Sequence, residues 1–210
     1  MELRADLHVH SEYSFDSKSK LRKILKRAKE ERLDLIAITD HEEIEGGKRL
    51  GDISKNLIVI TGEEIDTEYG DIIGLFLKKK IETKKFFEVV KEIKKQGGIA
   101  VIPHPALYHI LSNRVLKEVD LIEVFNSRVG KEANEMAIKL SGDEKKPSIA
   151  GSDAHFIFEI GNGVTIIDSK SKDPEDIKKA LLEGRIRIEC RRSPIMKRYW
   201  TKIVKLWRKR

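Results

Sequence analysis

Short runs of consecutive apolar residues alternate along this chain with stretches in which apolar residues recur every three or four positions. The runs LRADLHV, LDLIAIT, LIVITG, DIIGLFL, IAVIP, LIEVF, SIAGS, GVTIID and RIRIE read as strands, and several are apolar throughout, as strands covered on both faces are. Helical spacing appears over 17–32, where Leu21, Ile24, Leu25 and Ala28 share a face and serines stand ready as caps. It recurs over 83–96, which Gly97-Gly98 stops, in KEANEMAIKL, and in DPEDIKKALLEG behind the start signal Asp173-Pro174. Strand and helix in repeated alternation predict parallel strands joined by crossover helices, an α/β architecture. Seven or eight of these strands in this length suit a closed or nearly closed barrel, and an open doubly wound sheet is the competing arrangement.

Polar residues interrupt the pattern at one recurring place, the C-terminal ends of the apolar runs. Asp6, His8 and His10 alternate at the end of the first, so both imidazoles project to one side, and Asp16 follows. Asp40-His41 ends the second run and Glu63-Glu64 the third; His104 closes IAVIP, and Asp153 and His155 close SIAGS. In a parallel barrel those ends form one rim, where active sites are built. Taken singly, each residue has a plain structural reading as a helix cap or a hydrogen-bonded loop residue. Five of six histidines at one rim point instead to metal binding; His109 has no such placement. Imidazoles mixed with carboxylates suit Zn, Mn or Fe, and the donors outnumber the needs of one ion. Paired ions about 3.5–4 Å apart clamp the attacking and leaving oxygens of phosphoryl transfer, and a carboxylate such as Glu64 can bridge them. No G-x-S-x-G elbow, P-loop or G-x-G-x-x-G is present.

Composition narrows the class. Of 210 residues, 40% are hydrophobic and 37% charged, which fits a globular protein, and no apolar run is long enough to span a membrane. The start, MELRADLHVH, lacks the basic-then-apolar order of a signal peptide. A single cysteine, Cys190, leads us to expect a cytoplasmic protein without thiol catalysis. The net charge of +7 is local: residues 191–210 hold nine basic residues and no acidic one, leaving 33 Lys and Arg against 35 Asp and Glu elsewhere. This divides the chain into a body, 1–190, and a basic tail, 191–210. Wound as a helix, the tail gathers Met196, Tyr199, Trp200, Ile203, Val204, Leu206 and Trp207 on one half and its lysines and arginines on the other. Such a helix docks on its own barrel, on an anionic membrane surface or on nucleic-acid backbone.

Asp6-x-His8-x-His10, Thr39-Asp40-His41, Gly62-x-Glu64, His104-Pro105 and Ser152-Asp153-Ala154-His155, in that order, resemble the polymerase-and-histidinol-phosphatase (PHP) family of metal-dependent phosphoesterases. The resemblance runs from residue 3 to about 190 and implies a distorted (β/α)7 barrel with two or three divalent transition-metal ions. Carried over by position, it assigns His8, His10, Glu64 and Asp153 to a first ion. Glu64 bridges to a second held with His104, and Asp16, His41 and His155 take a third. Relatives often place a histidine where Asp71 stands, so Asp71 takes that position, and the G-x-E spacing favours Glu64 over Glu63.

Asp40 is read as orienting a ligand histidine, with Glu123 and Asn126 at another strand end able to do similar work. Arg128 is a candidate phosphate clamp or an exposed loop arginine, and His155 a candidate general acid. The activity implied is hydrolysis of a phosphomonoester or phosphodiester by metal-activated water, on a nucleotide, a short nucleic acid or another phosphorylated small molecule. The interval 106–151 leaves no room for a large lid. The alternatives are a histidinol-phosphatase-like enzyme, a non-catalytic nucleic-acid-binding subunit and a metal-dependent C–N hydrolase.

Overall fold

The computed structural model describes residues 1–107 and 109–191, so the expected tail helix falls, apart from Arg191, outside the described residues. The strands are β1 (Glu2–Val9), β2 (Leu35–Ile38), β3 (Ile58–Thr67), β4 (Gly70–Leu75), β5 (Ile99–Ile102), β6 (Leu121–Asn126), β7 (Ser148–Gly151), β8 (Gly163–Asp168) and β9 (Ile186–Cys190). The helices are α1 (Leu21–Glu30), α2 (Glu45–Ile53), α3 (Phe86–Lys95), α4 (Asn113–Glu118), α5 (Lys131–Glu144) and α6 (Pro174–Leu182). All strands belong to one sheet, ordered β7-β6-β5-β4-β3-β2-β1-β8-β9.

This is the expected mixed α/β fold with a nearly closed barrel sheet, but with nine strands among the described residues rather than seven. β1, β2 and β3 run parallel, as do β5, β6 and β7; β4 is antiparallel to both neighbours, β8 to β1, and β9 to β8. The reason at β4 is the turn. Thr67 pairs with Gly70, leaving two residues where a parallel crossover needs about a dozen. Gly70 takes a φ of 111°, which only glycine adopts readily. Reversing β4 brings its first residues, Asp71 among them, beside the end of β3.

At the rim the residues that follow β7, one end of the sheet, meet β1. His10 N donates to Ala154 O at 2.9 Å, and Val9 and Ala154 form a parallel bridge. Below them no backbone ladder joins β7 to β8. A buried side chain spans the gap: Thr165 Oγ1 accepts from Ala150 N at 2.9 Å and donates to Ala150 O at 3.0 Å. The approach is close, since a Cβ on Gly163 would stand 2.1 Å from Gly151 O. A register shift in β1 between Asp6 and Val9 marks a bulge around His8, and bulges re-aim side chains.

Apolar side chains fill the sheet on both faces. Leu7, Leu35, Ala37, Ile60, Val101 and Leu121 form one cluster with Ile177 and Leu181 of α6. Ile24 and Ala28 of α1 join Val9, Ile36 and Ile38 in another. α1 begins at Leu21, later than the spacing suggested, because Ser17 and Ser19 are buried and used elsewhere. Ser17 Oγ reaches His10 O and His155 O at 3.0 Å each, and Ser19 Oγ reaches His155 O at 3.2 Å. Asp173 caps α6 as read, its side chain accepting from Glu175 N.

Thr165→Val keeps the shape of the side chain and strands both Ala150 groups at the seam. Urea unfolding should show a loss of about 1–3 kcal/mol; an unchanged midpoint would mean that Thr165 does not hold the seam.

Candidate metal centre

Five strand ends bring their polar residues to one place. His8 comes from β1 and His10 from the residue just after it, His41 from the residues after β2, Glu64 from β3, and His104, Asp153 and His155 from the residues just after β5 and β7. His104 and Asp153 turn off their strands with φ of 31° and 53°, a region that non-glycine residues enter only under constraint. Three groups offer donor atoms within 4.8 Å of one another: His8, His10 and Asp153; His8, Glu64 and His104; and His10, Asp16, His41 and His155.

The contacts link these groups. His8 Nε2 and His10 Nε2 stand 3.2 Å apart, and Glu64 Oε2 lies 3.3 Å from the first and 3.2 Å from the second. Asp153 Oδ1 is 3.3 Å from His10 Nε2, and Glu64 Oε1 is 3.1 Å from His104 Nε2. Asp16 Oδ2 lies 2.8 Å from His155 Nε2 and 3.4 Å from His41 Nε2. Glu64, central to the arrangement, therefore stands between the His8–His10 pair and His104.

A buried polar frame aims these side chains. Glu123 Oε1 is 2.9 Å from His8 Nδ1, which directs Nε2 inward, while Oε2 accepts from His104 N at 2.8 Å and Asn126 Nδ2 at 2.9 Å. Asn126 Nδ2 also reaches Asp153 Oδ2 at 3.3 Å. His155 Nδ1 lies 2.9 Å from the Asp153 carbonyl, which can only accept; Nδ1 therefore carries the proton and Nε2 faces Asp16. Asp6, fully buried, accepts from Ser152 N at 3.0 Å and Gly161 N at 2.8 Å, so it anchors the loop that presents Asp153. Burial pushes the Asp6 carboxyl up to about 6 against those hydrogen bonds.

Inside the cluster, attraction between opposite charges outweighs the cost of burial. Burial alone would raise Glu64, Asp16 and Asp153, yet all three are held below the usual carboxylate range: Glu64 by His41 and His8, Asp16 by His155, Asp153 by His8. Burial would lower the imidazoles, yet the carboxylates raise His8, and lift His104 and His155 to about 9. The cluster demands positive charge at its centre. Protons on histidine supply it poorly, since His8 and His10 present their Nε2 atoms to each other. Divalent cations fit the set: nitrogens and oxygens are mixed, and the far nitrogens of His8 and His155 are already engaged.

The remaining sequence-predicted residues lie as follows. Glu63 points away from the cluster, accepting from Ile81 N at 3.0 Å, as strand alternation requires once Glu64 faces inward. Asp71 stands opposite Asp66 and joins none of the three groups; burial, then Glu64, raises it to about 6. Asp40 differs from its reading: both its oxygens go to Ser11, Oδ1 to the backbone N at 2.5 Å and Oδ2 to Oγ at 2.6 Å. It shapes the loop after His10, and Glu123 makes the histidine contact expected of it. Arg128 is no exposed loop arginine. Its side chain is 8% exposed, and Nη1 donates to both oxygens of Glu159 at 2.7 Å.

Glu159 escaped sequence reasoning. It is fully buried and also accepts from His155 N at 3.0 Å and Phe156 N at 3.1 Å, bracing the turn that carries His155. The one available signal was an acid inside the otherwise apolar stretch FIFEI. His109 packs edge-on against His104, with ring centroids 5.7 Å apart, and its ring nitrogens face carbonyls of Leu107 and Asp71.

Residues 6–141 match the PHP domain family, and residues 131–186 match the family described as PHP-associated. Two uncharacterized proteins of Methanocaldococcus jannaschii are similar. One is 38% identical over 141 residues, covering 60% of this chain and 82% of its own length. The other is 32% identical over 191 residues, covering 83% and 75%. Among solved structures, a two-domain protein of Bacteroides vulgatus containing a predicted PHP-like metal-dependent phosphoesterase superimposes with TM-score 0.74 and 21% identity, over 96% of this chain and 70% of that one. The lesion-specific endonuclease PfuEndoQ of Pyrococcus furiosus does so with TM-score 0.64 and 18% identity, over 90% and 58%. At such identities the two structures share the fold.

Ligation requires neutral imidazole, whereas His104 and His155 hold protons below about pH 9 without a cation. Uptake of Mn or Zn at about pH 7.5 should therefore release protons, and affinity should rise with pH towards 9. Titration calorimetry in two buffers of different ionisation enthalpy reads this directly; identical heats in both buffers would contradict it.

Proposed function

The chain belongs to the PHP family, and on that premise we propose that it is a metal-dependent phosphoesterase cleaving a phosphomonoester or phosphodiester of a nucleotide or short nucleic acid. The observation that carries the reading is the convergence of His8, His10, Glu64 and Asp153, with His8 Nε2 and His10 Nε2 3.2 Å apart and the back of His8 fixed by Glu123. Imidazoles crowded into such a basin would repel one another once protonated and have no packing purpose together; as ligands they have one. His8, His10, Glu64 and Asp153 would hold one cation, Glu64 with His104 a second, and Asp16, His41 and His155 a third. Zn, Mn or Fe bound there would supply Lewis acidity and would acidify a bound water.

The chain's own residues do the rest. The bulge in β1 and the braced turns at His104 and Asp153 fix the donors before substrate arrives, so little reorganisation accompanies reaction. The hydrogen bond from His155 Nδ1 to a carbonyl leaves Nε2 as the ligating atom, which favours a binding part for His155 over that of general acid. Arg128 acts through neighbours: it holds Glu159, and its Nε lies 4.0 Å from Asp153 Oδ2, so it steadies the Asp153 turn more readily than it clamps phosphate. Asp40 supports the loop that delivers Asp16. Asp71, its carboxyl raised by burial and by Glu64, adds an oxygen donor beside His104 only if that side of the basin rearranges. A non-catalytic nucleic-acid-binding barrel would have no use for the intact donor set. A lone, unpaired Cys190 accords with a cytoplasmic enzyme. The basic tail offers nucleic acid or an anionic surface a second contact.

With added Mn, the protein should hydrolyse a generic aryl phosphate. His8→Ala and Asp153→Ala should each lower kcat/KM more than about a hundredfold, and Glu123→Gln roughly ten- to a hundredfold. Unchanged rates in these variants, or turnover of amides in place of phosphoesters, would reject the proposal.

A further inference from the structure

Large apolar side chains left exposed are common singly, and half of those among the described residues fit that description: Ile53, Met136, Ile138 and Leu182 lie on helices. Phe15 is different. It immediately precedes Asp16, it is 38% exposed, and its ring lies 5.0 Å from that of His41 at a tilt of 32°. An aromatic face thus stands at the edge of the group formed by His10, Asp16, His41 and His155. Two residues earlier on the same loop, Tyr13 carries the Arg49 guanidinium 5.7 Å above its ring. Tyr13 and Arg49 line a cleft in which Lys20, Arg22, Lys23 and Arg49 outnumber Glu12 and Asp52. Glu12 engages Lys20 and Glu45 engages Arg49, whereas Arg22 and Lys23 form no ion pair among the described residues.

We propose that Phe15 determines specificity at this centre by stacking a nucleobase of single-stranded nucleic acid, while the neighbouring phosphate enters the cationic cleft of Tyr13, Arg22, Lys23 and Arg49. The proposal rests on the phosphoesterase reading and adds what the leaving group or its neighbour must carry. Stacking on an aromatic face is sequence-tolerant, because every base has a π face, and an alkyl group gains little from it. The body of the chain is near neutral, so the excess of cations in this cleft matches one further phosphate and not a long duplex track. A mononucleotide, lacking that phosphate, would use Phe15 and leave the cleft idle. The order along the loop is the order of contact: base at Phe15, next phosphate at the cleft.

The test compares three substrates with the full chain and Mn: a single-stranded thymidine hexamer, thymidine monophosphate and glycerol 2-phosphate. Phe15→Ala should lower kcat/KM on the hexamer relative to glycerol 2-phosphate about tenfold, chiefly through KM, and Phe15→Tyr should restore the ratio. The double variant Arg22→Ala/Lys23→Ala should raise KM for the hexamer relative to thymidine monophosphate and flatten its dependence on salt. An equal loss on all three substrates, or no loss, would overturn the proposal. If the wild type cleaves none of them, the phosphoesterase reading fails by itself; anisotropy of a fluorescent hexamer then still tests Phe15, and equal binding by wild type and Phe15→Ala would overturn the stacking.

Discussion

Carboxylates and imidazoles packed out of water must find compensating charge, and that demand governs the upper half of this barrel. Glu64, Asp16 and Asp153 are ionised although burial opposes it, and His8, His104 and His155 are drawn towards the charged form although burial opposes that too. A lone buried charge is costly, and donors of both kinds aimed at common points form a set that divalent cations fit. The seam follows from the same demand. Asp153 and His155 can face His8 and His10 because the segment after β7 meets β1 at the Val9–Ala154 bridge, with Thr165 of β8 held to Ala150 of β7 beneath it.

Behind the donors stands a second set of buried polar residues. Glu123 ties His8 to His104 through its two oxygens; Asn126 ties Glu123 to Asp153; Glu159 ties Arg128 to the His155 turn; Asp6 ties β1 to the loop around Ser152. His8, His104 and Asp153 are thus each held by a partner from another chain segment. The strained backbone at His104 and Asp153 is kept by these contacts, which is how a site stays fixed without a bound ligand to shape it.

Much of this was legible before the structure, for an identifiable reason. Apolar runs ending abruptly in His, Asp or Glu mark strand ends at a rim, and the ordered motifs pointed to the PHP family, to which the chain belongs. The direction of β4 was less legible, because DIIGLFL reads alike in a parallel or a reversed strand; only the short turn at Glu68-Tyr69 decides. The partners of Asp40 and Arg128 were not legible, because a side chain's neighbours across the fold do not appear in local spacing: Ser11 engages the first and Glu159 the second. Ser17 and Ser19 look like helix caps and serve instead to hold carbonyls of His10 and His155.

The central claim is that these donors converge in order to hold cations, and anomalous X-ray diffraction from crystals grown with Mn tests it most directly. The account predicts two or three anomalous peaks at the rim, each about 2.0–2.2 Å from donor atoms of the His8, His10, Glu64, His104 and Asp153 cluster or of the Asp16, His41 and His155 cluster. Peaks elsewhere on the surface with none at the rim, or donors turned away from one another in a basin filled by apolar atoms, would contradict it.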